Sequence, residues 1–197
     1  MTLHEIVDGR VRLRAWRDDD LPAWAALNAD PVVMEHFPAP LSRTESDAVA
    51  TRVRDRMDEQ GYGLWALQTP ELPFAGFVGL ALVPFDLPPG LVAALWPASP
   101  AGAPAGATPP PLHEVGWRLA RAAWGRGDAT CAARAALDFA RDTLRLPGVV
   151  SFTALSNARS QAVMRRLGMQ AMGEFEHPRV TPGHPLRPHV LYAADWR

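Results

Sequence analysis

The chain has 197 residues, a formal net charge of −1 and 48% hydrophobic residues, which is typical of one folded domain with a substantial core. The balanced charge excludes a strong overall field for nucleic acid or for an anionic membrane, and we expect neither as a partner. The single cysteine excludes an internal disulfide, and the sequence has no long apolar run, signal peptide or lipidation motif, so we expect a cytoplasmic protein.

The first part of the chain predicts one strand and two helices. Apolar and arginine residues alternate between 10 and 16, which is typical of a strand with one polar face. Three aspartates at 18–20 supply an N-cap and an acidic first turn for a helix. A second helix is expected to begin after Ser42 or Thr44 and to run to about Gln60.

Two antiparallel strands are predicted at 64–68 and 74–83, and the second is apolar enough to be central in the sheet. An insertion rich in proline, alanine and glycine follows at about 84–112, and most of it is not expected to form regular structure. Its exception is an apolar segment at residues 91–96. We expect this segment to rest on the protein's own surface; a substrate lid or a homodimer contact is the alternative.

The second half of the chain alternates strands and helices. Apolar residues recur at helical spacing after Ala129, and glycines at 148 and 168 follow the two helices. The predicted elements are a strand at 115–119, a helix from about 129 to 144, a strand at 149–155, a helix at 157–167 and strands at 169–175 and 189–196. This order indicates an α+β fold with a mostly antiparallel sheet and helices on both faces.

A glycine-rich elbow, defined as residues 124–127 (Trp-Gly-Arg-Gly), joins the strand at 115–119 to the following helix. The first N–H groups of a helix lack intrahelical acceptors and carry the positive end of the helix dipole, and glycines let a phosphate approach them. The elbow therefore predicts a pyrophosphate cradle. The sequence lacks both the Walker motif and the third glycine of the dinucleotide fingerprint, so those nucleotide sites are disfavoured.

The elbow resembles the acyl-CoA loop of the GNAT superfamily of N-acetyltransferases, written Gln/Arg-x-x-Gly-x-Gly/Ala. Gly127 and Ala129 occupy the small positions, and Trp124 stands where glutamine or arginine is usual. The preceding Glu-Val-Gly-Trp is similar to the branch of Rim-type ribosomal-protein N-terminal acetyltransferases. A second motif, Asn157 with Ser160 and a following Leu-Gly-Met, resembles the family's Asn-x-x-Ser helix and its Leu-Gly-Phe-type cap.

The resemblance implies the GNAT fold, with a splay between the two central strands. It also implies acetyl-CoA as acyl donor and direct attack by a primary amine, either a protein N-terminus or a small molecule. The pantetheine arm would lie between the strands at 115–119 and 149–155. The residues expected to bind acetyl-CoA are Trp117, Leu119, Trp124, Gly125, Arg126, Gly127, Ala129, Thr130, Asn157 and Ser160.

Two residues are implied as catalytic. Glu114 resembles the family's base, acting directly or through a water, and this role requires a raised pKa. Ser160 lies one helical turn after Asn157 and is implied as the proton donor to the leaving thiolate. Met164 excludes the tyrosine acid that many members carry at that position. Cys131 has no neighbouring base in the sequence, so we expect no covalent intermediate.

The acceptor pocket is expected to include Phe37, Phe85, Glu176 and His177. The histidines near the last strand are irregularly spaced and have no cysteine beside them, so we expect no metal. Asp128 departs from the family pattern and is expected to be a helix cap or an exposed side chain, where its charge would weaken anion binding.

A non-catalytic CoA-binding sensor or partner module is the alternative function. Glu114 and Ser160 favour the enzyme, whereas Trp124 and Asp128 are the departures that keep the alternative open. Thiol release from acetyl-CoA with a panel of amines separates the two functions.

Overall fold

The computed structural model describes residues 3–95 and 111–196. In these residues the strands are β1 Ile6–Asp8, β2 Val11–Arg14, β3 Leu64–Gln68, β4 Gly76–Leu82, β5 His113–Leu119, β6 Gly148–Ala154, β7 Gln170–Glu176 and β8 Pro188–Asp195. The α-helices are α1 Leu21–Ala29, α2 Arg43–Gln60, α3 Pro89–Leu95, α4 Asp128–Asp142 and α5 Ala158–Arg166. None of the helices described is long and apolar enough to cross a membrane.

The eight strands form one sheet in the order β1-β2-β3-β4-β5-β6-β8-β7. Neighbours are antiparallel except β5 and β6, which are parallel and share a single pairing, Glu114↔Val150. By contrast, β4 and β5 pair along their whole length, from Gly76↔Leu119 to Leu82↔His113. The two central strands therefore splay after one pairing, and the predicted α+β architecture with a mostly antiparallel sheet is confirmed.

Helices cover both faces of the sheet, as predicted. Phe139 of α4 packs on Trp65 of β3 with ring centroids 5.5 Å apart, and Trp24 of α1 packs on Phe77 of β4 at 5.7 Å. Trp65 pairs with Val78, which follows Phe77 in β4. Because successive side chains of a strand point to opposite faces, α1 and α4 lie on opposite sides. We call these sides the α1 face and the α4 face.

The strand predicted from the alternation at 10–16 is β2, and its polar face is divided, because Arg12 is exposed whereas Arg14 is 1% exposed. Its guanidinium makes two hydrogen bonds of 2.8 Å with the Asp20 carboxylate. The remaining bonds go to Gln68 Oε1 and to the carbonyls of Ala15 and Pro73, so every donor of the buried cation is satisfied. The last of the three aspartates therefore anchors β2 and makes no side-chain cap for α1.

The second helix begins and ends as the sequence predicts. Ser42 Oγ accepts from Glu45 N–H, and the Glu45 carboxylate accepts from Ser42 N–H in a capping box. Gly61 ends α2 in the left-handed conformation with φ 76°. The sequence did not predict β1, a three-residue strand that pairs with β2 at the edge of the sheet.

The apolar segment, which the sequence sets apart from the irregular remainder of the insertion, forms most of the short helix α3. Leu95 is buried and Leu91 half-buried in a hydrophobic cluster with Phe175 and Leu191 on the β6–β8–β7 half of the sheet. Residues 91–95 thus rest on the protein's own sheet, as expected. The rest of the segment and insertion, residues 96–110, lies outside the described residues.

We expect Asp20→Ala to lower the free energy of unfolding by about 3–5 kcal/mol, because it leaves the buried Arg14 guanidinium without its counter-charge. Asp18→Ala is the matched control, since the Asp18 side chain is 85% exposed in its pair with Arg54. Its loss should stay below about 1 kcal/mol. Urea denaturation of both variants checks this, and equal losses would contradict it.

Candidate functional site

The side chains of β5 divide between the two faces of the sheet. Glu114, Gly116 and Arg118 are in register with Ala81, Gly79 and Phe77 of β4, so they lie on the α1 face. Glu114 stands at the one pairing with β6, and the two residues after it on this face stand where the strands diverge. A Cβ on Gly116 would meet nothing within 4 Å, so this part of the α1 face is open.

Alternate residues of β5 point their backbone N–H and C=O groups toward the splay between β5 and β6. Ala120 N–H donates to Ala75 O at 2.9 Å, which sets the alternation of hydrogen bonds between β4 and β5. Trp117 and Leu119 therefore direct their N–H and C=O groups away from β4, toward β6. The Leu119 carbonyl accepts from Trp124 Nε1 at 2.9 Å, whereas Trp117 presents both of its backbone groups to the gap.

The elbow exposes backbone amides at the start of α4. Gly125 and Gly127 have φ of 75° and 84°, a conformation that favours glycine, and a Cβ on either would meet nothing within 4 Å. Gly127 is the N-cap, and the first intrahelical bond runs from Cys131 N–H to Gly127 O. The N–H groups of residues 128–130 therefore have no helical acceptor and suit an anion.

Side chains tie the elbow to its neighbours. Trp124, where the family usually has glutamine or arginine, hydrogen-bonds β5 and carries the Arg159 guanidinium 4.6 Å from its ring centroid. This stacking connects the elbow to α5. Arg126 is exposed, with one guanidinium nitrogen 3.7 Å from the Glu71 carboxylate.

Asp128 is 1% exposed and makes no side-chain cap, so the expectation of an exposed or capping side chain is wrong. Its Oδ1 lies 3.3 Å from Arg10 Nε in the β1–β2 turn, and within the described chain neither oxygen accepts a hydrogen bond. The helix dipole and Arg10 both favour its negative charge. The carboxylate lies on the buried side of the helix, whereas Gly125 and Gly127 are exposed.

Asn157 and Ser160 lie side by side at the start of α5. The Asn157 side chain caps the helix, because its Oδ1 accepts from Ser160 N–H at 3.1 Å. Its Nδ2 donates to Thr153 Oγ1 at 2.9 Å and to Ser160 Oγ at 3.1 Å. Met164, one turn further on, is buried. The Asn157 donors are therefore satisfied within the chain, while the Ser160 hydroxyl keeps its own proton for a partner.

A cleft of about 290 Å³ lies on the α1 face beside β6. It is bounded by the α1–α2 loop, the end of β6 with the turn after it, and the β7–β8 loop with β8. Its lining residues are His36, Phe37, Pro38, Phe152, Thr153, Ala154, Asn157, His177, Arg179, Val180, Leu186 and His189. The cleft is thus next to the splay and shares Asn157 with the start of α5.

The four residues predicted for the acceptor pocket fall in different places. Phe37 and His177 line the cleft. Phe85 packs against His177 behind the cleft, with the two ring centroids 4.7 Å apart. Glu176 is exposed and pairs with Arg187 at 2.7 Å, and it is not part of the lining.

Glu114 combines burial with a nearby cation. Burial raises the pKa of Glu114 to about 7, and the positive charge of Arg179 acts in the opposite direction. A carboxyl group with this pKa exchanges its proton near neutral pH.

Two neutral histidines face one another in the cleft, with ring centroids 4.6 Å apart. Burial lowers the pKa of His177 to about 4, and it also lowers that of His189. We assign the His177 proton to Nε2, because Nδ1 accepts from Arg179 N–H at 3.2 Å. His189 is the opposite tautomer, because its Nδ1 donates to Arg187 O at 3.1 Å.

Sequence reasoning gave no role to Arg118 or Arg179. Arg118 donates to Asn28 Oδ1 at 2.6 Å, lies 4.1 Å from the Phe37 ring centroid, and has a buried Nε without a hydrogen-bond partner. Burial lowers its pKa to about 10. Arg179 donates to Pro84 O. Each contact joins residues that are far apart in the sequence, by 90 positions for Arg118 and by 95 positions for Arg179. No local sequence pattern predicts such contacts.

Residues 10–170 match the family model of the acetyltransferase (GNAT) domain. Three solved structures illustrate the similarity of fold. An acetyltransferase from Agrobacterium tumefaciens is 22% identical, with a TM-score of 0.69 over 98% of this chain and 95% of that chain. A GNAT-family acetyltransferase from Bacillus anthracis is 16% identical over 98% of both chains, with a TM-score of 0.71. RimL, a ribosomal L7/L12 alpha-N-protein acetyltransferase in complex with coenzyme A, is 16% identical over 98% of both chains, with a TM-score of 0.69.

We expect Gly127→Val to weaken binding of coenzyme A at least about tenfold, or about 1.4 kcal/mol. A β-branched residue at φ 84° is strained, and its side chain would project into the open space over the elbow. Gly183→Val is the control, because Gly183 has φ 83° and the same free space in a different loop. Calorimetric titration compares the two, and equal affinities would contradict an anion site at the elbow.

Proposed function

We propose, for a chain that belongs to the GNAT family of acetyltransferases, that the acyl donor lies across the splay and that the amine enters through the cleft. The chain is an acetyl-CoA-dependent N-acetyltransferase, as its family is. The observation that carries the proposal is the single Glu114↔Val150 pairing, because it opens the sheet between the elbow and the cleft.

The donor side uses mainly backbone groups. In the proposal, Gly125, Gly127, Ala129 and Thr130 bind the diphosphate through the amides of the elbow and the first turn of α4, and Arg126 adds positive charge. The free amides and the open space over the elbow fit this group. Acetyl-CoA supplies the thioester when bound.

The pantetheine arm would run along the β6-facing backbone of Trp117 and Leu119. Both hydrogens of Asn157 Nδ2 already have acceptors, so Asn157 offers the arm only the second lone pair of Oδ1. Trp124 would keep the elbow in place through its bond to β5 and its stacking with Arg159.

The reaction we infer is direct transfer. Glu114 takes a proton from the acceptor ammonium, directly or through a water, and the free amine attacks the thioester carbonyl. The C–S bond breaks as the Ser160 hydroxyl protonates the leaving thiolate. The attacking nitrogen gives up its second proton to the Ser160 oxygen, so the products are an amide and a free thiol, and the serine hydroxyl is restored. Cys131 is unsuited to a covalent intermediate, because burial and a hydrogen bond to Asp8 raise the pKa of its thiol.

The acceptor is a primary amine, either a protein N-terminus or a small molecule. The cleft volume of about 290 Å³ is just below the range of about 300–1,000 Å³ for small-molecule sites. Phe37 and His177 would contact the acceptor, and Phe85 and Glu176 would support the wall through His177 and Arg187. The structural likeness to RimL and the Glu-Val-Gly-Trp motif support the Rim-type branch; a homodimer and a cytoplasmic location stay predictions.

Release of thiol from acetyl-CoA in the presence of an amine panel tests the proposed function. Turnover with at least one amine is expected. Tight binding of coenzyme A without turnover of any amine would instead support the non-catalytic module.

We expect kcat/KM to rise with pH through about 7, because Glu114 must be deprotonated to act as a base. Glu114→Gln should remove this rise with pH and lower kcat/KM about 10²–10⁴-fold.

The same variant should raise Tm at pH 8. The folded state binds the Glu114 proton more tightly than the unfolded state does, so the stability of the wild-type protein falls as pH rises from about 4.5 to about 7. If Glu114→Gln left both the pH profile of kcat/KM and the Tm unchanged, the role of Glu114 as base and its raised pKa would both be contradicted.

We expect Gly116→Ala to lower kcat/KM by about 10-fold or more without lowering Tm. The added methyl group meets no protein atom within 4 Å, yet it occupies the open α1 face between Glu114 and Arg118, where one methyl group is worth about 1–3 kcal/mol in a filled site. Gly90→Ala adds the same methyl to open space on α3 and should keep full activity. Thermal unfolding and steady-state kinetics distinguish the two variants.

A further inference from the structure

The wall of the cleft carries positive charge and no carboxylate. Among its twelve described lining residues, Arg179 is the one that is always charged, and none is aspartate or glutamate. His177 and His189 are neutral at pH 7, as their lowered pKa values indicate. Glu114 lies at the beginning of the splay and outside this lining.

The acidic residues next to the cleft are already paired with other cations. Glu176 binds Arg187 at 2.7 Å, and Glu35 binds Arg159 at 3.0 Å with His36 at 3.3 Å. The Glu176 and Glu35 carboxylates are therefore neutralised locally, whereas Glu114 is near enough for the positive charge of Arg179 to lower its pKa. Among the carboxylates whose side chains the structure describes, none forms an ion pair with Arg179.

Arg179 is held in place while most of its donors stay available. One guanidinium nitrogen donates to Pro84 O, and the backbone N–H donates to His177 Nδ1 at 3.2 Å. An arginine has five N–H donors, so the fork that recognises a carboxylate remains. His177 Nε2 carries a proton as well, and it supplies a second, uncharged donor in the same cleft.

A second cation stands behind the opposite wall. The Arg118 guanidinium stacks on Phe37, which lines the cleft, and it also has no ion pair among the described residues. Two arginines therefore flank the cleft, one in its lining and one beneath its aromatic wall. This field repels molecules with several positive charges and attracts anionic groups.

We propose that the acceptor is an amine with a carboxylate close to it, and that Arg179 binds this carboxylate. The inference rests on the proposed function, because it names the substrate class of the same cleft. The aromatic and aliphatic lining, from Phe37, Phe152, Val180 and Leu186, suits an apolar side chain on this amino acid or peptide. Polyamines do not fit, since binding them requires acidic groups that this lining lacks.

The test compares matched amines that differ in one carboxylate. L-phenylalanine is paired with L-phenylalaninamide, a tetrapeptide with aspartate in second place is paired with its asparagine counterpart, and spermidine represents polyamines. The amine of an amide loses its proton more readily than that of the free acid, so a preference for the acid does not come from amine reactivity. We expect kcat/KM to be at least about tenfold higher for the carboxylate member of one pair. Which pair shows the preference tells a free amino acid from an acidic peptide.

Arg179→Gln should reduce this carboxylate-to-amide ratio about tenfold or more, and Arg179→Lys should keep part of it. A change in Glu114 caused by loss of the Arg179 charge affects both amines of a pair and cancels in the ratio. Arg145→Gln removes an exposed arginine before the start of β6, at the end away from the cleft, and should leave the ratio unchanged. Thermal unfolding establishes that each variant is folded.

Calorimetric titration of L-phenylalanine and the acidic tetrapeptide into the CoA-saturated protein supplies a readout that does not need turnover. Binding of one of them that is lost in Arg179→Gln supports the inference. Amides or spermidine turned over as well as the carboxylates, or a ratio unchanged in Arg179→Gln, would overturn it. If no amine is acetylated, the proposed function fails, and the binding of carboxylates alone decides the inference.

Discussion

One pairing between β5 and β6 organises this molecule. A parallel pair of central strands normally continues its hydrogen bonds, but here the strands part after Glu114↔Val150, while β4 and β8 keep their long antiparallel contacts with the outer edges of the pair. The antiparallel neighbours hold each half of the sheet by pairing along the whole length of β5 on one side and of β6 on the other. Backbone groups that would satisfy one another across a closed sheet become the groups available to a substrate.

The splay also separates two electrostatic environments. The elbow end offers exposed amides at a helix start, which suit phosphate and need few charged side chains. The cleft end is walled by imidazole and aromatic rings and by Arg179. Burial that raises the pKa of Glu114 and lowers that of His177 leaves few charges at neutral pH near the gap. An amine approaching a thioester there would meet a carboxyl group able to exchange a proton near neutral pH.

Two departures from the family pattern have structural explanations. Trp124 takes the place of a polar residue, and it holds the elbow by a hydrogen bond to β5 and by stacking with Arg159. Asp128 carries a negative charge at the start of α4, and its burial against Arg10 keeps that charge on the buried side of the helix, away from the exposed glycines. Arg14 in the core is a second buried charge, and there a complete set of hydrogen-bond partners compensates for lost water.

Local chemistry determined what the sequence by itself predicts. Alternating apolar residues, the capping box of α2 and the glycine elbow depend on neighbours within a few positions. The sequence therefore predicts most of the strands and helices, and it contains the two motifs that resemble the family. The sequence also indicated Glu114 as the candidate base. Only the tertiary structure decided which side chains meet from distant parts of the chain. Arg14 and Asp128 are buried by packing that no local pattern encodes, and the walls of the cleft come from three segments joined only by folding. Periodicity specifies a residue's face, whereas its partner, and therefore its charge state and chemistry, depends on which segment packs against it.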